Sequence, residues 1–126
     1  MAVYVGGALM RLSTCSPLHL AENIRAIRPD RVVFEDSRLQ TFVFTTAKSR
    51  PVALSMARKV GQVDAWCGLI VAVCEGLGIP AHGISPLNKG KKLDAKKFTQ
   101  ATGWTDSSNE HTRDAAMVAY PYRSAA

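Results

Sequence analysis

The sequence is poor in the residues that stabilise small secreted domains and structural zinc sites. It has three cysteines, Cys15, Cys67 and Cys74, and neither a CxxC motif nor a cysteine–histidine cluster. An odd number of cysteines at these spacings argues against a disulfide framework and against structural zinc. Cys67 and Cys74 stand seven residues apart in a helical pattern, which predicts two small core residues. These absences favour a reducing, cytoplasmic location.

Long hydrophobic runs and the common catalytic motifs are also lacking. The longest uncharged apolar run, residues 65–74, is shorter than the roughly 20 residues that a membrane-spanning helix needs, so we expect no membrane segment. No P-loop, GxSxG or HExxH motif occurs in the sequence. With 126 residues, 47% of them hydrophobic and 21% charged, the composition predicts a single globular domain over residues 1–126.

Positive charge is in excess, and it is concentrated in two segments. The sequence has 16 Lys and Arg against 10 Asp and Glu, which gives a net charge of +6. Residues 89–97 (KGKKLDAKK), called here the lysine segment, hold five lysines and one acid, and residues 48–59 hold four basic residues and no acid. Focused basic charge indicates a polyanionic partner, most simply nucleic acid. The plainer alternative is a solvated lysine loop without a partner.

Short β-like runs predict the strands of an α/β domain. The runs 2–5 and 8–13 flank Gly6-Gly7, which predicts a hairpin with a two-residue turn. The unbroken apolar centre of residues 31–36 suits a strand that is covered on both faces, as in a parallel sheet. Residues 81–85 predict another short strand, and residues 37–52 a loop with a short extended piece at 41–44. Together with the helices below, these runs predict a mixed sheet flanked by helices.

Helical spacing of apolar residues predicts four helices. The first has Ser16 as its N-cap and Pro17 at its first position, and it ends before Pro29. The second runs from Ala53 to Leu77 and stops at Gly78. The last two are a helix capped by Asp94 that continues to Thr102, and a helix opened by a capping box of Ser107 and Glu110 that continues to about Tyr120.

Three residues on two of these elements could form an acidic site. Glu35 follows the apolar strand, and sites in open α/β sheets lie at the carboxyl ends of strands. His111 and Asp114 are three residues apart on the last helix and therefore share a face. Carboxylate and imidazole groups from two segments can hold divalent metal ions. The simpler alternatives are a strand-end acid that is solvated or pairs with Arg38, and a surface hydrogen bond on the helix; Asp36 should point to the opposite face of the strand.

Four stretches, taken in order, resemble the RuvC-type Holliday-junction resolvases, above all phage and prophage members: VVFEDSR, GQVDAWCGLIVAVCEGLGIP, KLDAKKF and TGWTDSSNEHTRDAAMVA. The similarity covers roughly residues 2–120. It implies a ribonuclease-H-like fold, a homodimer, and nicking of branched DNA that depends on Mg²⁺, with Mn²⁺ as a substitute. It also implies that Glu35, His111 and Asp114 are catalytic residues and metal ligands. The lysine segment matches the family's DNA-facing segment, through Lys89, Lys91, Lys92, Lys96 and Lys97.

One part of the family pattern has no match in this sequence. The family begins with a strand that bears an Asp and precedes the hairpin, whereas no acid here precedes Glu22. We therefore expect the chain as given to lack a central strand, to be weakly stable and nearly inactive, and to recover when about 10–20 upstream residues supply that strand. The main alternative is a catalytically inactive relative that binds DNA with an incomplete metal site. A protein-interaction module with incidental charge is the third interpretation.

Overall fold

Four strands and four α-helices make up the part of the chain that the structure, a computed structural model, describes: residues 1–40, 49–88 and 90–124. The strands are β1 (Ala2–Val5), β2 (Ala8–Leu12), β3 (Val32–Glu35) and β4 (Ala81–Ile84). The helices are α1 (Pro17–Ile27), α2 (Arg50–Leu77), α3 (Ala95–Thr102) and α4 (Glu110–Ala119). Short 3₁₀ turns occupy Ser37–Leu39, Pro86–Asn88 and Tyr120–Tyr122. The α/β class is thereby confirmed, while the extended piece at 41–44 lies outside the described residues.

The predicted N-terminal hairpin is confirmed. β1 and β2 pair antiparallel, with Val5 opposite Ala8 on either side of the turn. Gly6 and Gly7 have φ angles of 59° and 83°, and two consecutive positive φ values are what a tight two-residue hairpin turn requires. The Tyr4 hydroxyl on β1 donates a hydrogen bond of 2.8 Å to the Ala116 carbonyl of α4. The hairpin is therefore fixed to the last helix.

The hydrophobic core lies between α1, α2 and β4. Ala21 and Ile24 of α1 pack with Val73 and Cys74 of α2, and partly buried side chains of β3, β4 and neighbouring turns surround them. Ser16 caps α1 through the amide of His19, as its position before Pro17 predicts. Cys67 and Cys74 are both buried free thiols, so their prediction as small core residues is confirmed.

The described strands form two separate pairs and not the single mixed sheet expected from the sequence. β3 and β4 pair in parallel, in a register that aligns Glu35 with Ile84, and the hairpin is the other pair. No ladder joins the hairpin to β3 within residues 1–40, 49–88 and 90–124. α4 packs against β3 and also against both hairpin strands. This helix therefore connects the two strand pairs by side-chain packing.

Two helix boundaries differ from their predicted positions. α2 begins at Arg50, three residues before Ala53, because Ser49 caps it through the amide of Val52 and a proline occupies the first turn. The predicted capping box of Ser107 and Glu110 is wrong. The N-cap of α4 is Asn109, whose side chain accepts from the Thr112 amide while the Thr112 hydroxyl accepts from the Asn109 amide. The ends of α2 and α3 at Gly78 and Gly103 are as predicted.

α2 is an unusually long and apolar helix for a domain of this size. By length and composition alone it could cross a bilayer, although core helices of soluble proteins meet the same criteria. One face of α2 supplies Cys67, Val73 and Cys74 to the core. Only 17% of the apolar window of this helix is buried, so the inner face is narrow. The packing is compatible with a soluble protein.

Candidate functional site

Glu35 lies at the carboxyl end of β3, where the sequence predicts it. The strand pairs with β4 along its whole length, and the Asp36 amide continues the ladder by donating to the Ile84 carbonyl at 2.8 Å. Glu35 itself is half-buried. The Cys67 thiol of α2 donates to the Glu35 carbonyl at 3.6 Å, which fixes the backbone at this position against the long helix.

His111 and Asp114 lie on α4, the helix that packs against β3. Asn109 anchors the start of this helix and also donates from its side-chain amide to the Thr14 hydroxyl at 3.2 Å. His111 is exposed and Asp114 is half-buried. The two segments that carry the candidate acidic residues are therefore neighbours, although their sequence positions differ by more than seventy residues.

Lys92 of the lysine segment contacts two carboxylates of α4. Its ammonium group hydrogen-bonds to Glu110 and lies 3.7 Å from an Asp114 carboxylate oxygen. The hydrogen bond with Lys92 lowers the pKa of Glu110, and the same bond raises the pKa of Lys92. Because Asn109 and not Ser107 caps the helix, Glu110 is not used in a capping box and is available to Lys92.

The lysine segment lies directly beside the first turns of α4. The Arg113 guanidinium donates to the Leu93 carbonyl at 2.9 Å and to the Ser108 hydroxyl at 3.1 Å, which ties the segment to the helix. Asp94 caps α3 as predicted, and Phe98 of that helix is fully buried. The four lysines of the segment that lie within the described residues are all exposed: Lys91, Lys92, Lys96 and Lys97. Lys89 lies outside the described residues.

The candidate ligands do not make a metal site by themselves. Across residues 1–40, 49–88 and 90–124, no group of three or more His, Cys, Asp and Glu side chains is close enough to hold a metal ion. The side chains as they are placed here, with Lys92 beside Asp114, therefore do not fit a two-metal centre. The assignment of Glu35, His111 and Asp114 as ligands stays a prediction.

Sequence reasoning missed the acidic residue that is most deeply buried in this region. Asp36 is only 5% exposed, and Arg38 binds both of its carboxylate oxygens at 2.9 Å. The hydrogen bond from Arg38 lowers the pKa of Asp36. A Cβ at Gly83 of β4 would lie 2.8 Å from an Asp36 oxygen, so the absence of a side chain there makes room for the carboxylate. The D-x-R spacing directly after the strand could have indicated this ion pair, because an Asp at a strand end readily caps the turn that follows.

A second contact fastens the same turn to α2. The Ser37 hydroxyl donates to the Asp64 carboxylate at 2.6 Å. The Cys67 thiol lies 3.7 Å from the Ser37 hydroxyl and is buried. The turn after Glu35 is therefore fixed by two contacts. Arg38 binds Asp36 within the turn, and Ser37 binds Asp64 of α2.

Neither a protein-family model nor a curated protein matches this chain. The resemblance to RuvC-type resolvases therefore depends on the residues quoted above and on their order along the chain, and it remains a prediction.

Proposed function

We propose that this protein is a ribonuclease-H-like, RuvC-type endonuclease that nicks branched DNA such as Holliday junctions, as a cytoplasmic homodimer. The observation that carries this proposal is the position of α4. That helix bears His111 and Asp114, packs against the strand that ends at Glu35, and is tied to the lysine segment through Arg113. The candidate acidic residues and the lysine segment are therefore connected through α4, and a nuclease requires its metal ligands and its DNA-binding residues close together.

The proposed DNA-binding surface is formed by the exposed lysines of the lysine segment. Lys91, Lys96 and Lys97 are exposed, and each can neutralise a backbone phosphate without reading the base sequence. Branched and duplex DNA would both bind to such a surface, with an affinity that falls steeply as salt is added. Recognition of the branch itself would then depend on the two subunits of the homodimer, which present two such surfaces around a two-fold axis.

The proposed fold requires a strand in addition to the two separate strand pairs of the described residues. A ribonuclease-H-like domain has one sheet, and a further strand beside β3 would join the β3–β4 pair to the hairpin that α4 already contacts. An acidic residue on that strand would add a carboxylate to Glu35, His111 and Asp114. The Mg²⁺ of the proposed reaction, or Mn²⁺ in its place, requires such an addition, because the described residues do not form a site alone.

A second candidate function is DNA binding without cleavage. The observation that favours it is the position of Lys92, whose ammonium group lies beside Glu110 and Asp114 and balances their charge. A protein with this arrangement would keep the basic surface and lack a complete site for divalent ions.

The experiment that separates the two functions is cleavage of a synthetic four-way DNA junction, with and without Mg²⁺ or Mn²⁺, by a form of the protein that carries the further strand beside β3. The nuclease proposal predicts nicks at symmetry-related positions, and a rate about 100-fold or more lower for Glu35→Gln and for Asp114→Asn. Glu22→Gln, a change at an exposed acid of α1, is the matched control and should cut at the wild-type rate. Binding without nicking would establish the second function, and a chain that neither binds nor cuts DNA would refute both.

A further inference from the structure

The Lys92 side chain has different surroundings from the other lysines of the lysine segment. Its ammonium group hydrogen-bonds to a Glu110 carboxylate oxygen and lies 3.7 Å from an Asp114 carboxylate oxygen. Within the described part of the chain, no carboxylate lies at ion-pair distance from the segment's other lysines: Lys91, Lys96 and Lys97. The protein itself therefore neutralises the charge of Lys92, and it leaves the charges of these three lysines to the solvent or to a partner.

The two carboxylates reach the same ammonium group because they are four residues apart on α4. The helix begins directly after Asn109, so Glu110 lies in its first turn and Asp114 lies one turn further on. Side chains at this spacing share one face of a helix, where two acids repel each other. A cation placed between them removes this repulsion. Lys92 supplies that cation from the neighbouring lysine segment.

The backbone beside Lys92 is fixed independently of this ion pair. The Leu93 carbonyl accepts a hydrogen bond of 2.9 Å from the Arg113 guanidinium of α4. The next residue, Asp94, caps α3, and Phe98 of that helix is fully buried. The ammonium group can therefore leave the carboxylates by rotation of its own long side chain, and the lysine segment does not have to detach from α4.

The ion pair is exposed, so another anion can compete with it. The side chains of Lys92 and Glu110 are 57% and 56% exposed. Ion pairs between exposed side chains are weak, and a DNA phosphate is a strong acceptor for an ammonium group. Transfer of Lys92 to a phosphate would, however, leave two uncompensated carboxylates beside a polyanion, which opposes the transfer.

We propose that Glu110 and Asp114 compete with DNA for Lys92 and thereby reduce the positive charge that the lysine segment offers to a phosphate backbone. The inference rests on the proposed DNA-binding function and specifies how that surface is regulated. The other exposed lysines of the segment bind phosphates in the protein as it is. Lys92 joins them only when the charge of the two carboxylates is removed.

The first test is the salt dependence of binding to a four-way DNA junction, measured in EDTA so that divalent ions are absent. Glu110→Gln with Asp114→Asn should bind about two- to fivefold more tightly than the wild type at moderate salt. Its log–log slope should be steeper by about 0.9, because Lys92 gains a phosphate contact. Glu22→Gln with Glu75→Gln removes the same charge at exposed positions of α1 and α2 and should leave the slope unchanged. Circular dichroism should show both variants folded.

Lys92→Ala identifies the source of the added contact. In the wild-type background this change should leave the slope unchanged. In the Glu110→Gln, Asp114→Asn background it should return the slope to the wild-type value. A slope that falls by about 0.9 in both backgrounds would overturn the proposal, because Lys92 would then bind phosphate with the acids present. So would equal slopes for the wild type and the Glu110→Gln, Asp114→Asn variant. These two outcomes leave the proposed function standing, whereas a wild-type chain that does not bind the junction would refute the proposed function and this inference with it.

Discussion

At the scale of single residues, the carboxylate with the best-defined surroundings is Asp36 and not Glu35. Alternation along β3 predicts that Asp36 faces away from the site, but the strand ends at Glu35 and the chain turns there. Asp36 therefore caps the following 3₁₀ turn and binds Arg38 through both carboxylate oxygens. The space that it fills exists only because residue 83 is glycine. The D-x-R spacing of Asp36 and Arg38 is local, but the space for the carboxylate depends on β4 and leaves no mark in the sequence around Asp36.

Replacing Gly83 should therefore disturb Asp36 directly. Gly83→Ala puts a methyl group 2.8 Å from the carboxylate, which must move and give up hydrogen bonds with Arg38 in a buried setting. We expect a loss of about 1–3 kcal/mol in the free energy of unfolding, measured with urea. Gly76→Ala, at an open position of α2, is the matched control and should gain about 0.5–1 kcal/mol. Equal effects of the two changes would show that Gly83 is not needed for Asp36.

The same ion pair predicts a pH dependence of stability. The pKa of Asp36 is held below its ordinary value of 3.8, chiefly by the side-chain hydrogen bond from Arg38. The folded protein therefore binds this proton less tightly than the unfolded chain does. The resulting stabilisation is fully present above the unfolded pKa of 3.8 and is lost as the pH falls through the lower folded value. The free energy of unfolding should be measured with urea between pH 2 and pH 6. Its decrease towards low pH should be smaller in Arg38→Met than in the wild type. An unchanged decrease would exclude the Asp36–Arg38 pair as its source.

At the scale of elements, the start of α4 decides which acids are available near the lysine segment. Both Ser107 and Asn109 are residues that favour N-cap positions, and the sequence alone ranks the Ser107–Glu110 pair higher because of its capping-box spacing. In the structure Asn109 also reaches Thr14 beyond the hairpin. This tertiary contact favours the later cap, and it leaves Glu110 on the first turn, where Lys92 binds it.

Two substitutions distinguish the two caps. Asn109→Ala removes the acceptor of the Thr112 amide and should lower the free energy of unfolding by about 1 kcal/mol. Ser107→Ala, at an exposed position before the helix, should change it by less than about 0.5 kcal/mol. A larger loss of stability for Ser107→Ala than for Asn109→Ala would instead support the capping box of Ser107 and Glu110. Urea unfolding of the two variants side by side is sufficient.

At the scale of the whole molecule, the sequence predicts the elements well and their assembly less well. Glycines, prolines and cap residues mark the hairpin, α1, β4 and α3 because these signals act locally. The prediction of one mixed sheet is wrong for the described residues, because contacts between distant segments decide which strands are neighbours and the sequence of one strand does not encode them. The packing of α4 against β3 and the hairpin also depends on tertiary contacts. For the candidate site, the sequence predicts the residue types and the strand end, but not Lys92 beside Asp114.

The central claim of this account is that the lysine segment beside α4 forms a DNA-binding surface, and the salt dependence of junction binding tests it most directly. Binding of a four-way DNA junction should be measured from low to moderate salt for two variants that lose the same charge: Lys91→Ala with Lys96→Ala, and Arg11→Ala with Arg25→Ala, all at exposed positions.

We expect the log–log slope of the lysine variant to become shallower by about 0.9 for each lost phosphate contact, while the slope of the arginine variant stays close to that of the wild type. Equal slopes for the two variants would contradict the account, because the lysine segment would then contribute only to the net charge.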